Sequence, residues 1–279
     1  MSNRNEGRMV TPNVPQPKEQ KSGLLDFVSP TQFVDLPSKG LGYPESHPFF
    51  SKEAVEIRFM TAKDEDILSS ESLLRKGIAV DRFLKNVLMD DNIVVDSILI
   101  GDKNAILIAA RISGYGNLYE TQIQCPSCNA KNDLTFDLNR QEIHHGEIPE
   151  DSSMTRNESG NFILELPLSS VTLEFRLLTG KDEKEMIKKM ADAKKKKSES
   201  TSVTDQYQMM TVSAQGETNR KLISKFIGLM PVGDSKLLRN AYKAVAPDVK
   251  IKDDFECTSC DYEQELEVPF GADFFWPKQ

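Results

Sequence analysis

The chain repeats itself, and that constrains its fold more than any single composition figure does. Glu56, Arg58, Thr61, Lys63, Asp64 and Glu65 recur 118 positions later as Glu174, Arg176, Thr179, Lys181, Asp182 and Glu183, and the four residues between them are exchanged like for like. Three further matches follow in the same order. The apolar set Phe83, Leu84, Val87 and Leu88 returns as Leu222, Ile223, Phe226 and Ile227; Gly101-Asp102 returns as Gly233-Asp234; and Cys125-x-x-Cys128 returns as Cys257-x-x-Cys260. The spacing between matches changes by about twenty residues where a Lys/Ser-rich stretch enters the second copy, as an inserted loop would make it. Four matches in register order read as a tandem duplication.

Each copy then has one coarse plan. Ala54–Met60 and Val171–Leu178 alternate polar and apolar residues, as half-buried strands do. Thr61 and Thr179 stand just before Lys-Asp-Glu, so their hydroxyls can cap a following helix while the acids favour its positive end. Helices are expected near 63–76, 78–90 and 102–113, and again near 181–194, 204–228 and 234–246. Paired strands around each Cys-x-x-Cys (118–124 with 134–138, and 249–256 with 263–269) close the units. The expected fold class is α+β, with two tandem units of strand, helices and knuckle hairpin. Residues 1–30, carrying Pro12, Pro15 and Pro17 among polar residues, read as a flexible tail. Residues 31–140 form the first repeat, 141–161 a polar linker, and 162–279 the second repeat with an aromatic C-terminal tail.

Four cysteines in 279 residues are too few for a disulfide scaffold. Both pairs fall where one strand turns into the next, the setting of a zinc knuckle, in which two thiolates at i and i+3 converge on a metal. Structural zinc takes four ligands, and two knuckles supply four. The expectation is one zinc per chain on Cys125, Cys128, Cys257 and Cys260, joining the repeats as a shared ribbon, with all four sulfurs within about 5 Å of one another. Three other readings compete: a redox pair, which usually opens a helix; a disulfide, disfavoured in a reducing compartment; and unrelated buried thiols, which have no reason to fall in matched pairs. A site of four thiolates has no open position for a substrate or water.

Charge narrows the partners. Thirty-five basic residues against forty-three acidic give a net charge of −8, the opposite of a phosphate-backbone footprint. The second knuckle is flanked by Asp253, Asp254, Glu256, Asp261, Glu263, Glu265 and Glu267, which repel phosphate. Lys194–Lys197 is the one basic run, and it shares its helix with Asp182, Glu183, Glu185 and Asp192, as a solvated face would. No apolar run is long enough for a membrane helix, and the first residues lack the apolar core of a secretory signal. His144 and His145 lie in the polar linker, and His47 stands beside Pro48 in a turn. Gly114-Tyr115-Gly116 lacks the strand, helix and third glycine of a nucleotide loop. No hydrolase elbow, Walker sequence or His-Glu-x-x-His helix is present. Phe274, Phe275 and Trp276 near the C-terminus either cover the end of the core or present an aromatic hook to a partner.

Phe33-Val34-Asp35-Leu36-Pro37-Ser38-Lys39-Gly40-Leu41-Gly42-Tyr43-Pro44, Glu56-x-Arg58, Thr61-x-Lys63-Asp64-Glu65, Gly101-Asp102, Tyr115-Gly116-Asn117-Leu118-Tyr119 and Cys125-Pro126-Ser127-Cys128 together resemble the baseplate-hub family of T-even-type contractile-tailed phages. The resemblance covers most of the first repeat and, through the repeat, much of the second. It implies a non-enzymatic hub subunit or a chaperone-like assembly factor for the hub. Such a protein is made in the infected cell's cytoplasm, can be carried in the virion, and has other hub or tail proteins as partners. It implies no catalytic residue, no small-molecule substrate and no membrane partner, and it does not itself supply a metal. If Leu36–Gly40 is more than a turn into the core, Lys39 and Tyr43 would be exposed contacts. The alternative is a zinc-ribbon regulatory adaptor that binds nucleic acid or the transcription machinery. A metal-dependent hydrolase would need an open coordination position that four cysteines do not leave.

Overall fold

A computed structural model of the chain describes residues 29–196, 202–268 and 272–275. It is an α+β protein in which short antiparallel sheets alternate with helices around one continuous apolar core. The N-terminal segment 1–28, the Lys/Ser stretch 197–201 and Trp276 lie outside the described residues.

The first half opens with a hairpin of β1 (Thr31–Asp35) and β2 (Ala54–Arg58), paired with Val34 opposite Val55. Helices α1 (Ala62–Ser69), α2 (Glu71–Arg75), α3 (Ala79–Val87) and α4 (Ile100–Tyr115) follow. After α3 the chain returns to the hairpin, and Leu88 bridges Ile57. Helix α4 is the centre of the molecule. Residues on most of its circumference are buried, as expected for a helix with apolar residues almost all round. A second hairpin, β3 (Leu118–Gln124) with β4 (Lys131–Asp137), carries the first Cys-x-x-Cys at its turn.

The polar stretch after it is partly built into sheets: β5 (Gln141–His144) and the two-residue β6 (Thr155–Arg156) each pair with a strand of the second half. That half opens with the hairpin β7 (Phe162–Leu166) and β8 (Val171–Phe175), followed by α5 (Gly180–Lys196) and α6 (Ser202–Met210). The long helix expected at 204–228 does not form. β9 (Thr211–Ala214) interrupts it and pairs with β8. The β-branched Thr211 and Val212 suit a strand, and Gln215 and Gly216 turn the chain with φ of 51° and 75°. Helices α7 (Arg220–Leu229) and α8 (Val232–Val245) then lead to β10 (Asp248–Glu256) and β11 (Glu263–Glu267), the second knuckle hairpin.

The strand-to-helix joints of the two halves are wired alike. Arg58 forks onto Asp64 at 2.6 and 2.9 Å, and Asp64 also receives the amide and hydroxyl of Thr61 at 2.9 and 2.8 Å. Arg176, Asp182 and Thr179 make the same four bonds at 2.8, 2.8, 2.8 and 2.9 Å. At the next match, the Ser38 amide donates to Asp102, and the Leu168 amide donates to Asp234. The two apolar sets both lie on a helix that precedes the one carrying the Gly-Asp pair, in different surroundings. Phe83, Leu84 and Val87 lie on α3, which ends at the bridge of Leu88, and 222–227 lies on α7, which comes after strand β9.

The halves are closely joined. β5 pairs with β10 across them, α4 packs on β10, and Lys103 meets Glu183 at 2.5 Å. Phe274 and Phe275 are buried against Tyr119 and Phe83 of the first half, so both of these tail aromatics cover core. Tyr43, an exposed contact if its loop were functional, is buried instead. Its hydroxyl donates to Asp102 and accepts the Leu99 amide, because a buried carboxylate at a helix start needs donors. Lys39 is exposed.

Candidate metal centre

The two Cys-x-x-Cys turns meet although 129 positions separate Cys128 from Cys257. Each hairpin tightens at its tip through the first cysteine: the Cys125 amide donates to the Ala130 carbonyl at 2.8 Å, and the Cys257 amide to the Tyr262 carbonyl at 3.0 Å. Past Cys128, Asn129 takes a φ of 60°, a left-handed position that asparagine tolerates better than most residues. Both turns project two sulfurs from one end of their hairpin. The packing of β10 on β4 then brings the four together.

All four Sγ atoms lie within 4.8 Å of one another. Across the halves, Cys125 and Cys260 are 3.8 Å apart and Cys128 and Cys257 are 3.6 Å apart. A disulfide needs about 2.05 Å, which neither separation approaches. Four thiolates at about 2.3 Å from a tetrahedral zinc stand about 3.8 Å apart. The donor set and its spacing fit a four-coordinate soft-metal site, and among the described residues it is the one such cluster of cysteines, histidines and carboxylates.

Thiols this close influence one another's protons. The Ser259 amide donates to Cys257 Sγ and, with its sulfur neighbours, draws that thiol down to about 6. At Cys260 the Tyr262 amide favours the thiolate, but Cys128 and burial outweigh it and push the thiol up to about 12. The cluster thus favours ionisation at one cysteine and opposes it at another. A bound divalent cation would supply the charge that lets all four ionise.

Asn132, on β4, is the contact that sequence reasoning missed. Its side-chain oxygen accepts both the amide and the hydroxyl of Thr258 at 2.8 Å, and its amide group donates to the Ala130 carbonyl at 3.0 Å. The same nitrogen lies 3.6 Å from Cys257 Sγ. It clamps one knuckle to the other, and its only signal in the chain was a polar residue four places after Cys128.

The histidines play no part at the cluster. His144 Nε2 bonds the Ala244 carbonyl, His145 Nδ1 the Pro37 carbonyl, and His47 stacks on Tyr43 and meets Ser97. Gly114–Gly116 forms the end of α4, where Gly116 caps the helix with a φ of 82°. Lys195 is exposed on α5, as a solvated face requires.

A family model described as T4 bacteriophage base plate protein matches residues 31–276. The chain belongs to that family. No curated protein and no solved structure matches it significantly. For a base plate protein, a structural role among other baseplate or tail proteins is what membership supports, and a closed four-sulfur cluster suits such a role. No helix among the described residues of this base plate protein is long and apolar enough to cross a membrane.

Proposed function

We propose that this chain is a non-enzymatic component of the baseplate hub, either a hub subunit or a chaperone-like factor in hub assembly. In this reading it is built from two tandem copies of one unit, 31–140 and 162–279, and stapled by one structural zinc on Cys125, Cys128, Cys257 and Cys260. It is made in the host cytoplasm and works through contacts with other hub or tail proteins. The observation that carries the reading is that four sulfurs, two from each half, converge to within 4.8 Å in a chain of a base plate family. The matched Arg–Asp–Thr joints support the duplication. When bound, zinc would cross-link two hairpins that share no strand pairing with each other, so the staple adds rigidity where the sheets do not.

Two measurements test this together. Elemental analysis of purified protein should give one zinc per chain. A phage lacking the gene, supplied in trans with the intact chain, should form baseplates, and with Cys257→Ser it should not. Absence of zinc, or two per chain, overturns the shared site. Baseplates that form normally while binding to nucleic acid is lost would move the reading to the regulatory adaptor.

A further inference from the structure

One interface inside the chain has counterparts, one in each half, that among the described residues make no such backbone bonds. The segment before α4 and the segment before α5 run against each other, joining the first half to the second. The Gly180 amide donates to the Ile98 carbonyl at 2.8 Å, the Ile100 amide to the Leu178 carbonyl at 3.2 Å, and Leu99 bridges Thr179. Gly101 completes the joint, since a Cβ there would stand 2.0 Å from the Pro247 carbonyl oxygen.

Both segments occur twice. Ile98–Gly101 corresponds to Met230–Gly233 in the second half, with the same local bonds: Ile98 to Val95 and Lys103 to Leu99 match Met230 to Ile227 and Ser235 to Pro231. Leu178–Gly180 corresponds to Met60–Ala62 in the first half, where Glu65 to Thr61 matches Glu183 to Thr179. The burial does not match. Ile98 and Leu99 are 0% and 4% exposed, whereas their counterparts Met230 and Pro231 are only half-buried, and Leu229 and Val232 on either side of them are 84% and 83% exposed, beside an exposed Leu168. Among the described residues, the Met230 carbonyl and Val232 amide carry no hydrogen bond, and neither do the Met60 carbonyl and Ala62 amide.

We propose that the bare Leu229–Gly233 corner of one copy docks on the Met60–Ala62 joint of a second copy, repeating between chains the contact that joins the halves within one. The inference rests on the duplication proposed above. The occupant is a second copy because the complementary surface is already on the chain, in the shape that its own internal joint demonstrates. Each copy would present one face of each kind. The contact is therefore head-to-tail, and it closes a ring if the rotation per copy allows or extends a filament if it does not. The fit is close at Ala62. Its counterpart Gly180 would place a Cβ 3.2 Å from the Val95 carbonyl, so an alanine is accommodated by a small shift and a larger side chain is not.

Sedimentation of the full-length chain across concentration tests this. The intact protein should associate. Val232→Asp and Ala62→Trp, both at exposed positions, should each weaken association at least about tenfold, as loss of a central apolar contact does. An equimolar mixture of the two variants retains one good face of each kind, so it should form dimers that do not grow further. A chain that stays monomeric at every concentration overturns the proposal. So does association that neither variant weakens, or a mixture that stays as dissociated as its parts, which would mean a self-complementary interface. A Val232→Asp chain that fails to join a different baseplate protein while the intact chain remains monomeric would assign the corner to that protein instead. Zinc content and baseplate complementation are read separately, so failure here leaves the proposed function standing.

Discussion

Asp102 and Asp234 occupy corresponding positions at the starts of α4 and α8, each drawing in the loop of the hairpin beside it, yet their surroundings push them in opposite directions. Burial raises Asp102, and the donors on Ser38 and Tyr43 only partly offset it. At Asp234 burial also works upward, but the donors of Ser169 and Leu168 outweigh it and the carboxyl falls below its ordinary range. The difference is one of neighbours. The first half is covered by the second, and it places Tyr43 and a buried Ser38 over the carboxylate. The second half holds its carboxylate with the amides of Leu168 and Ser169, and the Leu168 side chain beside it is exposed. Like residues at like positions thus do different electrostatic work according to what lies on top of them, and the second half carries the more exposed face.

The largest expected effect tests whether the halves depend on each other. Structural zinc contributes about 10–16 kcal/mol of apparent folding free energy in small peptides. With helices and a shared core to fall back on, Cys257→Ser should cost less than that, but still several times the roughly 1 kcal/mol of a typical substitution. Thermal melting should show it, together with loss of the metal. A variant that kept both its melting temperature and its baseplate assembly would show that the halves hold together without the staple.

The two Arg–Asp joints sharpen the comparison. Asp64→Ala and Asp182→Ala each leave a guanidinium without its fork, a loss of about 3–5 kcal/mol when fully buried. Arg58 is 21% exposed and Arg176 is 34% exposed, and Asp64 is the more buried acid. Both losses should fall below that range, with Asp64→Ala the larger. Urea unfolding of the pair checks the order, and a reversed order would break the account of which half is better covered.

Acid should act through the same groups. At Asp64 and Asp182 burial opposes ionisation, but the arginine forks and threonine donors prevail and hold both carboxyls below their ordinary value. Their stabilisation is complete above the unfolded carboxylate range, about 3.9, and is lost as pH falls through the lowered native values. Asp102, raised by burial, has the opposite sign: its contribution is present below the unfolded value and lost as pH rises through the native one. Asp182→Asn should therefore flatten the acid limb of a stability–pH curve, and an unchanged limb would exclude the joint as its source. The smallest effect is expected on α5, where Lys195→Ala at an exposed position should alter stability by less than about 0.5 kcal/mol.

The knuckles and most helices were legible because period, turn residues and helix-start acids are local signals. Cys125, Cys128, Cys257 and Cys260 could be paired across the chain because a metal's ligand number forces the sum. β9 was not legible: Thr211–Ala214 continues an apolar pattern that fits a helix equally well, and only the open edge of β8 decides between them. β5 was hidden for the same reason, since a polar strand such as Gln141–His144 shows itself through its partner on β10 and not through its own side chains. Asn132 was out of reach because its partners lie on the other hairpin, 126 positions away.

The burial of Phe274 and Phe275 in the first half sets the order in which the protein can be completed. Arg111, on the central helix, directs its Nε to the Phe274 carbonyl, 163 positions further along the chain. A ribosome adding about 5–20 residues per second takes on the order of ten seconds to travel that distance. During that interval the first half lacks two of its aromatic side chains, and its knuckle has two of the four sulfurs that meet in the folded chain. A chain stopped before Phe274 would lack the aromatic closure of its first half and, if stopped before Cys257, the second pair of its sulfur cluster as well, and would show its incompleteness as an open core.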